Sequence, residues 1–86
     1  MWLLPLDPVT KLQNNSSVAD LKNTGGRGGG STTAAHFIAE FAGDTPWVHI
    51  DIAATSMLDR TRGWMPAGAT GVPTRSLVNL VRKLAE

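Results

Sequence analysis

The chain has no cysteine among its 86 residues, which excludes a disulfide framework, thiolate zinc sites and thiol catalysis together and fits a reducing cytoplasm. It is also short of charge. Charged residues make up 17%, and eight Lys and Arg against seven Asp and Glu leave a net +1, so no field of one sign points to nucleic acid or an anionic membrane. No apolar run approaches the roughly 20 residues that span a bilayer. The apolar opening Met1-Trp2-Leu3-Leu4-Pro5-Leu6 is interrupted by Pro5 and lacks a basic flank, so it is not read as a targeting signal. What the chain does have is apolar side chain, 42% of its residues, too much for a disordered tail. A length of 86 residues allows one small domain, burying about 60 to 65% of its unfolded surface. A domain of that size standing alone should carry more surface charge, so the composition suggests part of something larger.

Residues 1–6 read as a buried strand end or an extended segment, because Pro5 bars a central strand beyond it. Asp7 is a candidate N-cap with Pro8 at the first helical position, where its missing N–H costs nothing. A turn of helix from 7 to 12 follows, ended by Asn14-Asn15-Ser16-Ser17. Asn23-Thr24-Gly25-Gly26-Arg27-Gly28-Gly29-Gly30 holds five glycines in eight residues and nothing apolar to bury, which makes it a loop. Ala34, Phe37, Ile38, Phe41 and Ala42 recur at helical spacing before a Gly43 C-cap, predicting a helix over 32–42 with that stripe inward. Trp47-Val48-His49-Ile50-Asp51-Ile52 alternates apolar with polar residues and predicts a strand over 47–52, with His49 and Asp51 on one face. Small residues at 53–56 lead into a polar loop containing Gly63, Pro66, Gly68 and Gly71. Pro73 opens a last amphipathic helix, 73–84, with Leu77, Leu80, Val81 and Leu84 as its stripe. Helix, strand, helix is the order found at one edge of an α/β sheet.

Four groups of residues invite chemistry. The glycine run ahead of a helix could bind phosphate, yet no Lys follows its last glycine, so it is no Walker loop, and a tight loop that lets backbone pass close to other backbone is the favoured reading. His49 and Asp51 could serve as metal ligands or an acid/base pair, but two ligands do not close a site, and hydrogen-bonded structural roles are favoured. His36 has no second ligand at metalloprotease spacing and is read as packed or surface-exposed. Arg27 offers a bidentate fork for a carboxylate or bicarbonate-sized anion, or braces its loop. Trp47 and Trp64 read as core or subunit-interface anchors rather than stacking platforms.

Taken as a set, these segments resemble a known family. Trp2 with Leu4-Pro5-Leu6, Val18-Ala19-Asp20-Leu21-Lys22-Asn23 before the glycines, Thr33-Ala34-Ala35 with Phe37 and Glu40-Phe41, Trp47-Val48-His49-Ile50-Asp51-Ile52-Ala53 and Ala67-Gly68-Ala69-Thr70-Gly71 are similar to the C-terminal part of the leucyl (cytosol) aminopeptidase catalytic domain. The resemblance runs over essentially all of residues 1–86, and the Trp-x-His-x-Asp-Ile-Ala strand is its most specific part. It implies a mixed-sheet α/β fold and a two-metal exopeptidase, using manganese or zinc, that removes N-terminal residues, leucine preferred, from peptides with a free N-terminus. It further implies a cytoplasmic homo-oligomer, a hexamer, with no nucleic-acid or membrane partner. The family's metal ligands and its catalytic Lys and Arg precede this region, in an Asn-Thr-Asp-Ala-Glu-Gly-Arg stretch. Asn23-Thr24-Gly25-Gly26-Arg27 has neither the Asp nor the Glu of that stretch, so no catalytic or metal-binding residue is carried over. Ala53 is carried over as lining the pocket for the substrate's first side chain. Ser56 stands where the family has another pocket-facing residue, beside Ala54 where glycine is common. The expectation is therefore a C-terminal fragment, inactive alone, with a non-catalytic binding or oligomer-interface module as the alternative.

Overall fold

The computed structural model describes all of residues 1–86 and divides into two compact units, Met1–His49 and Ile50–Glu86. No helix is long and apolar enough to cross a membrane.

In the first unit, α1 (Pro8–Lys11) begins as the sequence predicts. Asp7 is extended (φ −89°, ψ 149°) with Pro8 in the first turn, and its carboxylate accepts the Thr10 backbone N–H at 2.9 Å and the Thr10 hydroxyl. Those bonds favour the charged form, the hydroxyl first, and hold the Asp7 carboxyl below its ordinary pKa. A 3₁₀ turn, Leu12–Asn14, ends the helix. The next helix, α2, spans Gly30–Ala42 and so starts inside the glycine run, two residues before the predicted start at 32. Gly29 makes this possible by adopting the left-handed conformation (φ 68°, ψ 30°), a cheap one for glycine alone. Its carbonyl accepts the N–H groups of Thr32 and Thr33 at 3.0 Å and the Thr32 hydroxyl at 2.8 Å. Gly43 closes α2 at φ 55°.

The face of α2 that packs is not the expected one. Thr33, Ala35 and His36 are the buried residues, while Ile38 and Phe41 of the apolar stripe are 49% and 71% exposed. Polar bonds decide the matter. Asn14, 2% exposed, donates from Nδ2 to the Thr33 carbonyl at 2.8 Å. His36 Nε2 lies 2.9 Å from the Asp7 carbonyl, which requires the Nε2–H tautomer, and Lys11 pairs with Glu40. Residues 33, 36 and 40 fall on one helical stripe, so each bond ties that same polar face to α1 and its 3₁₀ turn. Phe37 and Phe41 stack on each other, with ring centroids 5.2 Å apart and tilted by 56°. Gly25 passes so close that a Cβ there would lie 2.7 Å from Thr33 Cγ2 and 3.1 Å from Asn14 Oδ1; the close approach at that position is to side chains, not to other backbone as expected of the glycine loop. Residues 1–6 form neither strand nor helix and are not buried: Met1, Trp2 and Leu3 are 95%, 89% and 94% exposed, because nothing in their own chain covers them.

The predicted strand over 47–52 does not form. The only sheet pairs β1 (Met57–Leu58) with β2 (Gly68–Ala69) in antiparallel register, Met57 opposite Ala69 and Leu58 opposite Gly68. Alternation prepares a segment for a sheet, but a strand exists only where a neighbour completes its hydrogen bonds, and no segment of the chain pairs with 47–52. The observed hairpin occupies what the sequence suggested was loop. Arg62 and Met65 exchange backbone bonds of 2.9 and 3.0 Å around Gly63 and Trp64. Gly63 at φ 57° takes the first place of that two-residue connection, where a II′ turn needs glycine. Thus the α/β class holds with its strands displaced. The last helix, α3 (Thr74–Ala85), starts one residue after Pro73, and its whole length is exposed, including Leu77, Leu80 and Leu84.

Candidate functional site

Within the second unit, the small residues after Ile52 form a tight, well-tied turn. Asp51 Oδ1 accepts the N–H of Ala53 at 2.8 Å, a side-chain mimic of a backbone turn that short acidic residues make readily. The Ile52 carbonyl then accepts the N–H groups of Thr55 and Ser56 at 2.9 and 2.8 Å. From the other side, Thr70 at the end of β2 donates its N–H to the Ser56 carbonyl at 2.9 Å and its hydroxyl to the Thr55 carbonyl at 2.6 Å. The same hydroxyl accepts the Val72 N–H at 3.3 Å. Ala53 and Ala54 are exposed on this turn and Ser56 is half-buried. The arrangement presents the Ala53 and Ala54 methyl groups at the surface of a tied turn, which suits contact with an apolar side chain and offers no reacting group of its own.

The other candidates lie apart from this turn in role. Asp51 takes the hydrogen-bonded structural role favoured for it, capping the turn, and His49 is half-buried. His36 is packed, fastening α2 to the start of α1. Arg27 is exposed in the glycine loop. Trp47 is half-buried, and Trp64 is 86% exposed at the tip of the hairpin, so it is not a core residue of this unit. No group of three or more His, Asp or Glu residues is placed to hold a metal ion, and the donor set of this segment therefore does not fit a two-metal centre. Sequence reasoning missed Thr70 and Asn14. The first had a faint signal in the Gly68-Ala69-Thr70-Gly71 punctuation of a hairpin end. The second had none, since a lone Asn beside Asn15 looks like any helix terminator.

The catalytic-domain model of the cytosol aminopeptidase family matches residues 1–78. A probable cytosol aminopeptidase of Acidobacterium capsulatum is 50% identical over 84 residues, covering 98% of this chain and 17% of that protein. Proteins of the same description from Prochlorococcus marinus and Synechocystis sp. are 52% and 47% identical, over 92% and 99% of this chain and 16% and 17% of their own lengths. The chain thus spans about a sixth of the length of the curated relatives it matches. With the family model covering nearly all of it, and with identities near one half over more than nine-tenths of its length, the chain belongs to the cytosol aminopeptidase family.

Proposed function

We propose that this chain is the C-terminal part of a catalytic domain that removes N-terminal residues from peptides, leucine-like residues preferred, and that Ala53 lines the pocket for the substrate's first side chain. The observation that carries this reading is the Asp51–Ala53 turn, which holds the exposed Ala53 methyl group on a residue whose N–H is already bonded to the Asp51 carboxylate. An apolar substrate side chain can cover that methyl without stranding the Ala53 N–H. What these residues do is bind and orient. The carboxylates that a two-metal site of manganese or zinc requires belong to other parts of the enzyme. By itself the 86-residue chain is inactive, and purified fragment supplied with manganese or zinc leaves leucine p-nitroanilide at the buffer rate. The complete enzyme is a cytoplasmic homo-oligomer, a hexamer, whose mass sedimentation measures.

The test of the pocket is Ala53→Leu in the complete enzyme. Added methylenes occupy space meant for the substrate, so kcat/KM for leucine substrates falls relative to alanine substrates by about 1–3 kcal/mol of discrimination. An unchanged leucine-to-alanine ratio, with both substrates losing alike, would remove Ala53 from the pocket and leave it a packing residue.

A further inference from the structure

We propose that Thr70 is a positioning residue for the first-residue pocket: it holds the 53–56 turn in place from the opposite side to Asp51, so that Ala53 meets the substrate at a fixed depth. The inference rests on the assignment of Ala53 to that pocket and extends it to a residue on a separate segment.

Three bonds converge on Thr70. Its N–H reaches the Ser56 carbonyl. Its hydroxyl reaches the Thr55 carbonyl, 15 residues away in sequence, while accepting the Val72 N–H. A hydroxyl that donates to one backbone group and accepts from another has its rotor fixed, so it couples the two segments with direction as well as proximity. The sheet register brings it there. Met57 pairs with Ala69, which sets Thr70 against Ser56 as the next rung, and a slip of one residue would turn the hydroxyl to the other face. Asp51 ties the start of the turn through the Ala53 N–H, and Thr70 ties its end. A turn held at both ends is a wall of defined position. A wall free to shift yields to a large side chain and no longer places it against the reacting groups, whereas an alanine-sized side chain hardly touches it.

The experiment compares Thr70→Val, which keeps the shape but has no hydroxyl, with Thr70→Ser, which restores it, in the complete enzyme with Ala53→Leu alongside. Two readouts are needed: amide hydrogen exchange over residues 51–58, and the ratio of kcat/KM for leucine to alanine substrates. In Thr70→Val, exchange accelerates by about 3- to 10-fold, as expected for one lost hydrogen bond. The ratio falls by a similar factor, chiefly through kcat for leucine substrates, and Thr70→Ser recovers both. Unchanged exchange in Thr70→Val overturns the proposal whatever the kinetics do. Faster exchange with an unchanged ratio, where Ala53→Leu does alter it, overturns the positioning role while the pocket stands. If Ala53→Leu itself leaves the ratio alone, the pocket assignment falls and the role of Thr70 in specificity falls with it.

Discussion

Helices α2 and α3 are nearly equal in length, at 13 and 12 residues, and both are amphipathic, yet the chain treats them in opposite ways. It fastens α2 by the polar face, through Asn14 to Thr33, the Asp7 carbonyl to His36 and Lys11 to Glu40, and leaves the apolar stripe of α2 open. It does not fasten α3 at all; every residue of that helix is exposed. The lesson is that hydrogen-bonding specificity and apolar burial are separable contributions. These 86 residues supply much of the first and little of the second, so Ala35 is their one buried apolar residue.

The sharpest way to break the contrast is to attack α2 at its tether. Asn14→Leu removes a buried hydrogen bond to the Thr33 carbonyl and sets a branched apolar side chain in a site only 2% exposed, which together should cost about 3 kcal/mol. The loss is measured as reduced amide protection over residues 30–42, and protection equal to the parent would show that the tether is dispensable. Gly25→Ala comes next, at about 2 kcal/mol, since the new methyl meets Thr33 Cγ2 at 2.7 Å. Thr33→Ser removes that methyl and should recover part of the loss; strictly additive effects in a thermal-unfolding cycle would argue against the clash. Removing the cap with Asp7→Ala should cost less again and change the acid response. The Asp7 pKa is lowered by folding, so its contribution is fully present at neutral pH and disappears as pH falls below about 4, through the unfolded and then the folded value. A parent-minus-variant stability difference that stays constant down to pH 2 would contradict the cap. Leu84→Lys in α3 should change stability by less than about 0.5 kcal/mol, because the side chain is 78% exposed. It should nonetheless reduce hydrophobic-dye binding and self-association of the 86-residue chain, and dye binding unchanged from the parent would mean that α3 is already covered.

The elements legible from the sequence were those whose cause is local. Asp7-Pro8 announces a helix start, Gly43 a helix stop, and the 3.6-residue recurrence of Leu77, Leu80, Val81 and Leu84 a helix, and none needs a distant partner to act. What failed needed one. The alternation across 47–52 describes a segment ready for a sheet, but pairing is a property of two segments. The apolar stripe of α2 names the face that gains most from cover, and the face that packs is chosen by whether a cover is within reach. The hairpin around Gly63 was hidden because strands of two residues are too short to show a period. The candidate site divides along the same line. Ala53 entered by family likeness and Asp51 by its residue type, whereas Thr70 acts only because the hairpin brings it across from a remote stretch of chain.

The buried Asn14 amide also makes the first unit depend on the identity of one atom. Asparagine and aspartate differ by a side-chain nitrogen in place of an oxygen and hardly in shape. At Asn14 that atom is Nδ2, the donor facing the Thr33 carbonyl. Its replacement by oxygen would set two acceptors against each other in a place reached by almost no water, adding a charge with no counter-ion beside it. An Asn14→Asp substitution would therefore turn the fastening of α2 into a repulsion, so the first unit holds α2 by the difference between a donor and an acceptor.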